Sequence, residues 1–308
     1  MSHRILISPS SFGEFDDSPI FLLKQSNIGF VSNPYGRKLQ HQELLELLPG
    51  KSGIIAGVET LDKSVMDNSH LKVISRCGSG LDNVDLEYAK KLGIHVFNTP
   101  DAPVDAVAEM TVSAILSVLR NLHTVSSDMR WGIWKKRIGC SIKNKNVVIV
   151  GFGRIGRKVA EILYFLGAKI IAVDPFLRNK EDWYDCLSLQ DALGRGDLFS
   201  VHVSGNDCVL GNDEFQAMKD GVFIFNASRG GAVNEHALIK ALETKKVAGA
   251  WIDVFEEEPY SGKLIEFSNV LLSPHMSSYT RECRVDMEVQ AVQNLLKCFR
   301  ELNTIKLS

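Results

Sequence analysis

The chain has 308 residues, 45% hydrophobic, 23% charged and 8% aromatic, with 24 Gly, 9 Pro and 6 Cys. That balance excludes a disordered, collagen-like or disulfide-stapled chain and gives length for two domains, each with its own core. Thirty-five basic against 37 acidic residues leave no bulk positive field to attract nucleic acid or an anionic membrane surface, so the expected partner is a small molecule.

Short β-branched runs bounded by turn residues recur along the chain, at 4–8, 52–57, 72–77, 95–99, 146–151, 169–174, 198–203, 222–227, 248–254 and 269–275. They are apolar throughout rather than alternating, which suits strands covered on both faces. Stretches of helical period lie between several of them, at 85–92, 157–166 and 235–242. Strand-helix-strand repetition predicts mostly parallel sheets with right-handed crossovers. The runs form two series, one before about residue 99 and one from about 144 to 275. A long apolar helix is expected over 104–127, entered after Pro100 and Pro103. Its apolar residues cover most of the circumference, so it is buried either between layers or against a second subunit. Met110 to Leu119, the longest apolar stretch, is about half of what a bilayer span needs. The amphipathic tail at 281–299 is expected to pack back on the first domain.

The N-terminal segment lacks the continuous apolar core of a signal peptide. Cys77, Cys140, Cys186, Cys208, Cys283 and Cys298 are scattered and form no CxxC pair, so reduced thiols in a cytoplasmic protein and no metal site are expected.

Residues 147–156 read VVIVGFGRIG, a strand running into Gly151-x-Gly153-x-x-Gly156 and then a helix-like run. Gly151 permits the tight turn, Gly153 lets backbone approach a pyrophosphate, and Gly156 lets helix and strand pack closely. The phosphates then face N–H groups at the helix N-terminus. Asp174 closes the next strand, 23 residues after Gly151, which is the context this fingerprint requires. Its carboxylate would accept from ribose hydroxyls and repel a 2′-phosphate, and Pro175, Phe176 and Leu177 offer no compensating cation. The expected cofactor is NAD rather than NADP.

Three further segments, FNASRGGAVNE at 225–235, WIDVFEEEP at 251–259 and LLSPHMSS at 271–278, put polar or ionisable residues just after strands, where open α/β sheets bind ligands. Together with RCGSGLDNVDLEYAKKLGIHVFNTP, AVAEMTVSAIL and VGFGRIG they resemble the D-isomer-specific 2-hydroxyacid dehydrogenase family, nearest its phosphoglycerate dehydrogenase branch. The resemblance spans residues 72 to 278. It implies two doubly wound α/β domains with the active site in the cleft between them. One is a flavodoxin-like substrate domain over 1–99 and 279–308. The other is a Rossmann NAD-binding domain over 100–278 that includes the long helix.

The resemblance also implies roles. Arg229 would bind the substrate carboxylate and keto oxygen, a task for a planar guanidinium. His275 would be the general acid-base, paired with Glu258, whose carboxylate favours the imidazolium. Arg154 and Ile155 would meet the pyrophosphate, Ala227, Ser228 and Arg229 the nicotinamide side, and Asp253 the carboxamide, with His275 to Ser278 bordering that pocket. In the first domain the Gly78-Ser79-Gly80 loop would hold the substrate carboxylate, with Arg76 nearby. His202 reads as structural or cofactor-adjacent. A homodimer through 104–127 is expected.

Two departures from the family pattern bear on substrate. Ala56 stands where phosphoglycerate dehydrogenases usually carry a cation for the substrate phosphate, and 202–208 lacks a usual proline and is about three residues short. Feedback through a C-terminal regulatory domain is not expected in 308 residues. The expected reaction is reversible hydride transfer between NAD and a D-2-hydroxy acid, either 3-phosphoglycerate or a partner of a small 2-keto acid such as hydroxypyruvate or glyoxylate. The alternative is an NAD(H)-sensing, corepressor-like binding protein.

Overall fold

A computed structural model describes residues 4–177, 181–205 and 207–302, which divide into two compact units. The first unit takes the described residues up to Pro103 and from Ser278 onward. Its strands β1 (Arg4–Ile7), β2 (Gly29–Ser32), β3 (Gly53–Ala56), β4 (Val73–Arg76) and β5 (His95–Phe97) form one parallel sheet in the order β2-β1-β3-β4-β5. Successive strand residues point to opposite faces. Leu6, Ile54 and Ile74 therefore meet Leu44 of α2 (His41–Leu47), Val65 and Met66 of α3 (Lys63–Asp67) and Ala89 of α4 (Leu86–Lys91) on one face. The other face carries α1 (Ser18–Gln25) and the C-terminal helix α11 (Arg281–Glu301), which packs on β3, β4 and β5. A Cβ on Gly53 would stand 3.1 Å from Phe299 and 3.3 Å from Leu295, so the glycine lets α11 settle close to the sheet. Ser75 Oγ donates to the Ala291 carbonyl from the same face.

The second unit, Val104–Ser277, opens with α5 (Val104–Leu119) and α6 (Leu122–Arg130). Its strands are β6 (Asn146–Val150), β7 (Lys169–Val173), β8 (Tyr184–Cys186), β9 (Leu198–Val201), β10 (Val222–Asn226), β11 (Val247–Ile252) and β12 (Val270–Leu272). All run parallel in the order β12-β11-β10-β9-β6-β7-β8. In β6, Val147 and Ile149 face α5 and α7 (Arg154–Phe165), while Val148 and Val150 face α8 (Leu189–Leu193), α9 (Asn212–Ala217) and α10 (Glu235–Glu243). Covering on both faces is what the unbroken apolar run required.

The two sheets reverse direction at β1/β3 and β6/β9. Beyond the carboxyl ends of such strand pairs, open α/β sheets leave a ligand crevice.

Three local features differ from the sequence-based expectations. β2 and β8 are edge strands, and an edge needs little apolar content. The expected 104–127 helix is two helices. Asn121 turns left-handed at φ 53°, the Cys140 amide takes the Leu119 carbonyl, and a Cβ on Gly139 would lie 2.4 Å from that oxygen, so crossing backbone closes the helix end. α5 is core to its own unit, burying Val107, Val112, Ile115, Val118 and Leu119 among others. Among the described residues no helix is long and apolar enough to cross a membrane, no group of His, Cys, Asp and Glu suits a metal, and all six cysteines are free thiols.

Candidate active site

The β6–α7 turn is built by three glycines, two of which no other residue could replace. Gly151 is left-handed at φ 91°, and a Cβ there would stand 2.6 Å from the His202 carbonyl at the end of neighbouring β9. A Cβ on Gly156 would stand 2.1 Å from the Gly151 carbonyl, so the first turn of α7 closes directly over the loop. Gly153 is the N-cap of α7, no side chain caps that terminus, and a Cβ there would meet nothing within 4 Å. Packing explains Gly151 and Gly156. It does not explain Gly153, whose open face at an uncapped helix start fits an approaching pyrophosphate.

Asp174 follows β7. Its carboxylate accepts the Phe152 amide at 2.8 Å and the Phe176 amide at 2.8 Å, one on each oxygen. Each oxygen keeps a second lone-pair direction, which suits ribose hydroxyls. His202 Nε2 lies 2.8 Å from Ser200 Oγ, and burial pushes its imidazole down to about 4, so it is neutral.

The reacting end is assembled by strands β10, β11 and β12. At the end of β10, Asn226 is 1% exposed. Its Oδ1 accepts the Ser228 amide and hydroxyl, while its Nδ2 donates to the Arg229 carbonyl. This single side chain folds the turn that carries Ala227, Ser228 and Arg229. Arg229 Nη1 donates to the Ser228 carbonyl at 2.8 Å. A Cβ on the next residue, Gly230, would lie 2.1 Å from the Phe255 carbonyl carbon. The Arg229 turn therefore lies backbone-to-backbone against the loop that leads to Glu258.

After β12 the chain turns through His275, a non-glycine residue at φ 50°, a conformation that costs on the order of 1–3 kcal/mol and persists only where its surroundings fix it. Asp253, at the end of β11 and 0% exposed, does the fixing. One carboxylate oxygen accepts the Ser273 hydroxyl and the Met276 amide, and the other accepts the Ser277 amide and hydroxyl. Trp251 Nε1 donates in turn to Ser273 Oγ at 2.8 Å. All four acceptor positions of Asp253 are engaged by the loop, so its carboxylate clamps the turn that carries His275.

His275 Nδ1 lies 3.1 and 3.0 Å from the two Glu258 oxygens, and Glu258 also accepts the Phe255 amide. An ionised carboxylate only accepts, so Nδ1 carries the hydrogen and Nε2 is the acceptor in the neutral ring. The His275 side chain is 56% exposed. The pair offers a tautomerically fixed imidazole with Nε2 as its remaining acceptor, and the neighbouring loop packs against the turn that carries Arg229.

Ser278, Arg76, Gly78, Ser79 and Gly80 lie in the other unit. There Arg76 Nη1 donates to the Cys77 carbonyl, Gly78 turns at φ 141° and donates to Thr99 Oγ1, and Asn98 Nδ2 donates to the Ser79 carbonyl. Those bonds tie the Gly78–Gly80 loop to the end of β5.

Sequence reasoning gave no role to Asn226 and Ser273, which hold the candidate reacting residues in place, and placed Ser277 only at the border of the pocket. The one usable signal was that Asn226 and Ser273 each directly follow or end an apolar strand run, where a polar residue either reacts or folds the turn.

The NAD-binding domain profile of the D-isomer specific 2-hydroxyacid dehydrogenases matches residues 112–277. The chain is 31% identical over 303 residues to the D-3-phosphoglycerate dehydrogenase of Synechocystis, covering 95% of this chain but 53% of that protein. It is 36% identical over 255 residues to the glyoxylate reductase of Thermococcus litoralis, covering 77% of each. Among solved structures, the TT0316 protein of Thermus thermophilus superposes with a TM-score of 0.88 at 29% identity, over 97% of both chains. The chain thus spans about half the length of the phosphoglycerate dehydrogenase it matches and three quarters of the glyoxylate reductase. The match to the family profile covers more than half of the chain, including the β6–α7 turn and the loops that carry Arg229, Glu258 and His275, and the protein belongs to the D-isomer specific 2-hydroxyacid dehydrogenases, a family of NAD-dependent oxidoreductases.

Proposed function

We propose that this chain catalyses reversible hydride transfer between NAD and a D-2-hydroxy acid, with the 2-keto acid as the other partner. The observation that carries the reading is the bidentate His275–Glu258 pair, at 3.1 and 3.0 Å, on a loop clamped by a buried aspartate. Bound NAD supplies the hydride acceptor. His275 Nε2 takes the hydroxyl proton in oxidation and returns it in reduction, while the Glu258 carboxylate holds Nδ1 and orients the ring. Arg229 holds the substrate carboxylate and keto oxygen through its planar fork. Gly151, Gly153, Arg154, Ile155 and Gly156 cradle the pyrophosphate and Asp174 the ribose, with Ala227 and Ser228 along the nicotinamide side.

The decisive assay follows NADH at 340 nm across phosphorylated and unphosphorylated 2-keto acids. His275→Gln should lower kcat by about 10²–10⁴-fold with NADH affinity retained, and near-normal turnover would remove the role. Clear NADH binding with no turnover on any acid would instead support a dinucleotide sensor.

We further infer a cytoplasmic homodimer. Leu122, Met129, Trp131, Trp134 and Ile138 are exposed on and after α6, a larger apolar surface than a monomer usually leaves in water. Sedimentation of the wild type as a monomer at micromolar concentration would refute it.

A further inference from the structure

The β1/β3 switch point of the first unit is already filled by a side chain of the protein. Ser8 directly follows β1 and is fully buried, and Glu59, two residues beyond the Gly57 that follows β3, is 3% exposed. Glu59 Oε2 accepts the Ser8 hydroxyl at 2.7 Å and the Gly57 amide at 2.9 Å. Gly57 N also lies 3.0 Å from Ser8 Oγ. Asn83 Nδ2 donates to the Glu59 carbonyl at 2.6 Å and reaches the Gly57 carbonyl at 3.3 Å, which fixes the loop that carries the carboxylate.

In a doubly wound sheet of this order, a backbone amide and a hydroxyl at the switch point are the groups that would take an anionic ligand. Here an internal carboxylate takes both. The cations at the same sheet edge have partners within the unit through their Nη atoms. Arg76 Nη1 donates to the Cys77 carbonyl, and Arg284 is paired at 3.1 Å with Glu288 and bonded to Ser11. Ala56, the strand residue before Gly57, is fully buried and pairs across the sheet with Arg76, so it presents nothing to a ligand.

We propose that Glu59 is a specificity-determining residue that occupies the anion position of the first unit and excludes substrates whose far end carries a phosphate or second carboxylate. The inference rests on the hydride-transfer reading and names its substrate class: D-2-hydroxy and 2-keto acids with an uncharged distal end, hydrogen or hydroxymethyl. A second anion would have to displace the Glu59 carboxylate from its two donors and sit beside it.

The experiment compares kcat/KM for hydroxypyruvate and 3-phosphohydroxypyruvate, with NADH, in the wild type and in Glu59→Gln. The wild type should favour hydroxypyruvate. Glu59→Gln keeps the shape and removes the charge, and should raise the phosphorylated-to-unphosphorylated ratio at least about tenfold, roughly 1.4 kcal/mol, through KM for the phosphorylated acid. A wild type that prefers the phosphorylated acid overturns the proposal without any variant. So does a variant that loses activity equally on both acids, the signature of a purely structural carboxylate. Binding of inorganic phosphate is read separately from turnover. Phosphate should raise the Tm of Glu59→Ser, which vacates the position, and leave the wild type unmoved. If neither acid is turned over, the hydride-transfer reading fails while this Tm comparison still decides whether Glu59 plugs an anion site. An unmoved Glu59→Ser sinks the plug.

Discussion

Asp253→Asn tests the clamp on the His275 loop. The carboxylate is 0% exposed and accepts the Ser273 and Ser277 hydroxyls and the Met276 and Ser277 amides. Asparagine can still accept two of them through its carbonyl oxygen, but its amide nitrogen faces the other two. The Ser277 hydroxyl can turn and accept, whereas the Ser277 amide is a donor left facing a donor in a buried position. One orphaned buried donor costs about 1–3 kcal/mol, and the two bonds that remain lose the charge that strengthened them, about 0.5–1.5 kcal/mol together. The expected destabilisation is about 3 kcal/mol. For a unit of this size that lowers Tm by about 6–12 °C, which calorimetry of the purified protein reads directly. Activity should fall further than stability alone explains, because His275 holds a left-handed backbone that the loop stops enforcing. A loosened general acid-base costs kcat on the order of 10²-fold, with KM for NADH changed little. A variant that melts within about 1 °C of the wild type would refute the clamp. One that keeps kcat but loses NADH affinity would return Asp253 to the carboxamide.

Two other outcomes follow from particular contacts. Gly230→Ala places a methyl 2.1 Å from the Phe255 carbonyl carbon, backbone that cannot rotate away. It should cost about 1–3 kcal/mol and lower kcat/KM by parting the Arg229 turn from the Glu258 loop, so wild-type Tm and kcat/KM in this variant would contradict the packing. His202 is buried and held down to about 4, while a histidine in the unfolded chain titrates near 6.5. As pH falls the unfolded chain takes the proton first, so stability is lost from about pH 6.5 down to about pH 4, by up to about 3 kcal/mol. Urea unfolding of His202→Gln across that window should show this component missing, and an unchanged pH dependence would argue against a buried neutral imidazole.

The cofactor half of the site was legible because its constraints are local. The spacing of Gly151, Gly153 and Gly156 reports a turn in which a Cβ meets backbone oxygen at two positions and open space at the third, and Asp174 closes the strand that follows in sequence. The doubly wound sheets were legible for a similar reason, since unbroken apolar runs such as VVIV must be covered twice. The edge strands β2 and β8 gave no such signal, because an edge can form without being buried on both faces. The end of α5 was invisible too, because it is set by Gly139 and Cys140 crossing the Leu119 carbonyl from about 20 residues away.

The sequence by itself determined the family and the two parallel sheets, and it singled out Arg229, Glu258 and His275 as the candidate reacting residues, since each sits in a short segment whose residue types are dictated by chemistry. Only the tertiary structure decided what holds the loops that carry them and what fills the β1/β3 switch point of the first unit. Asp253 and Glu59 are acids of the same kind in sequence, yet one spends four lone pairs on the His275 loop and the other fills a crevice between β1 and β3. The difference lies in which buried N–H and O–H groups the fold brings within 3 Å of each carboxylate. Those partners come from up to 51 residues away, a distance over which sequence spacing carries no information.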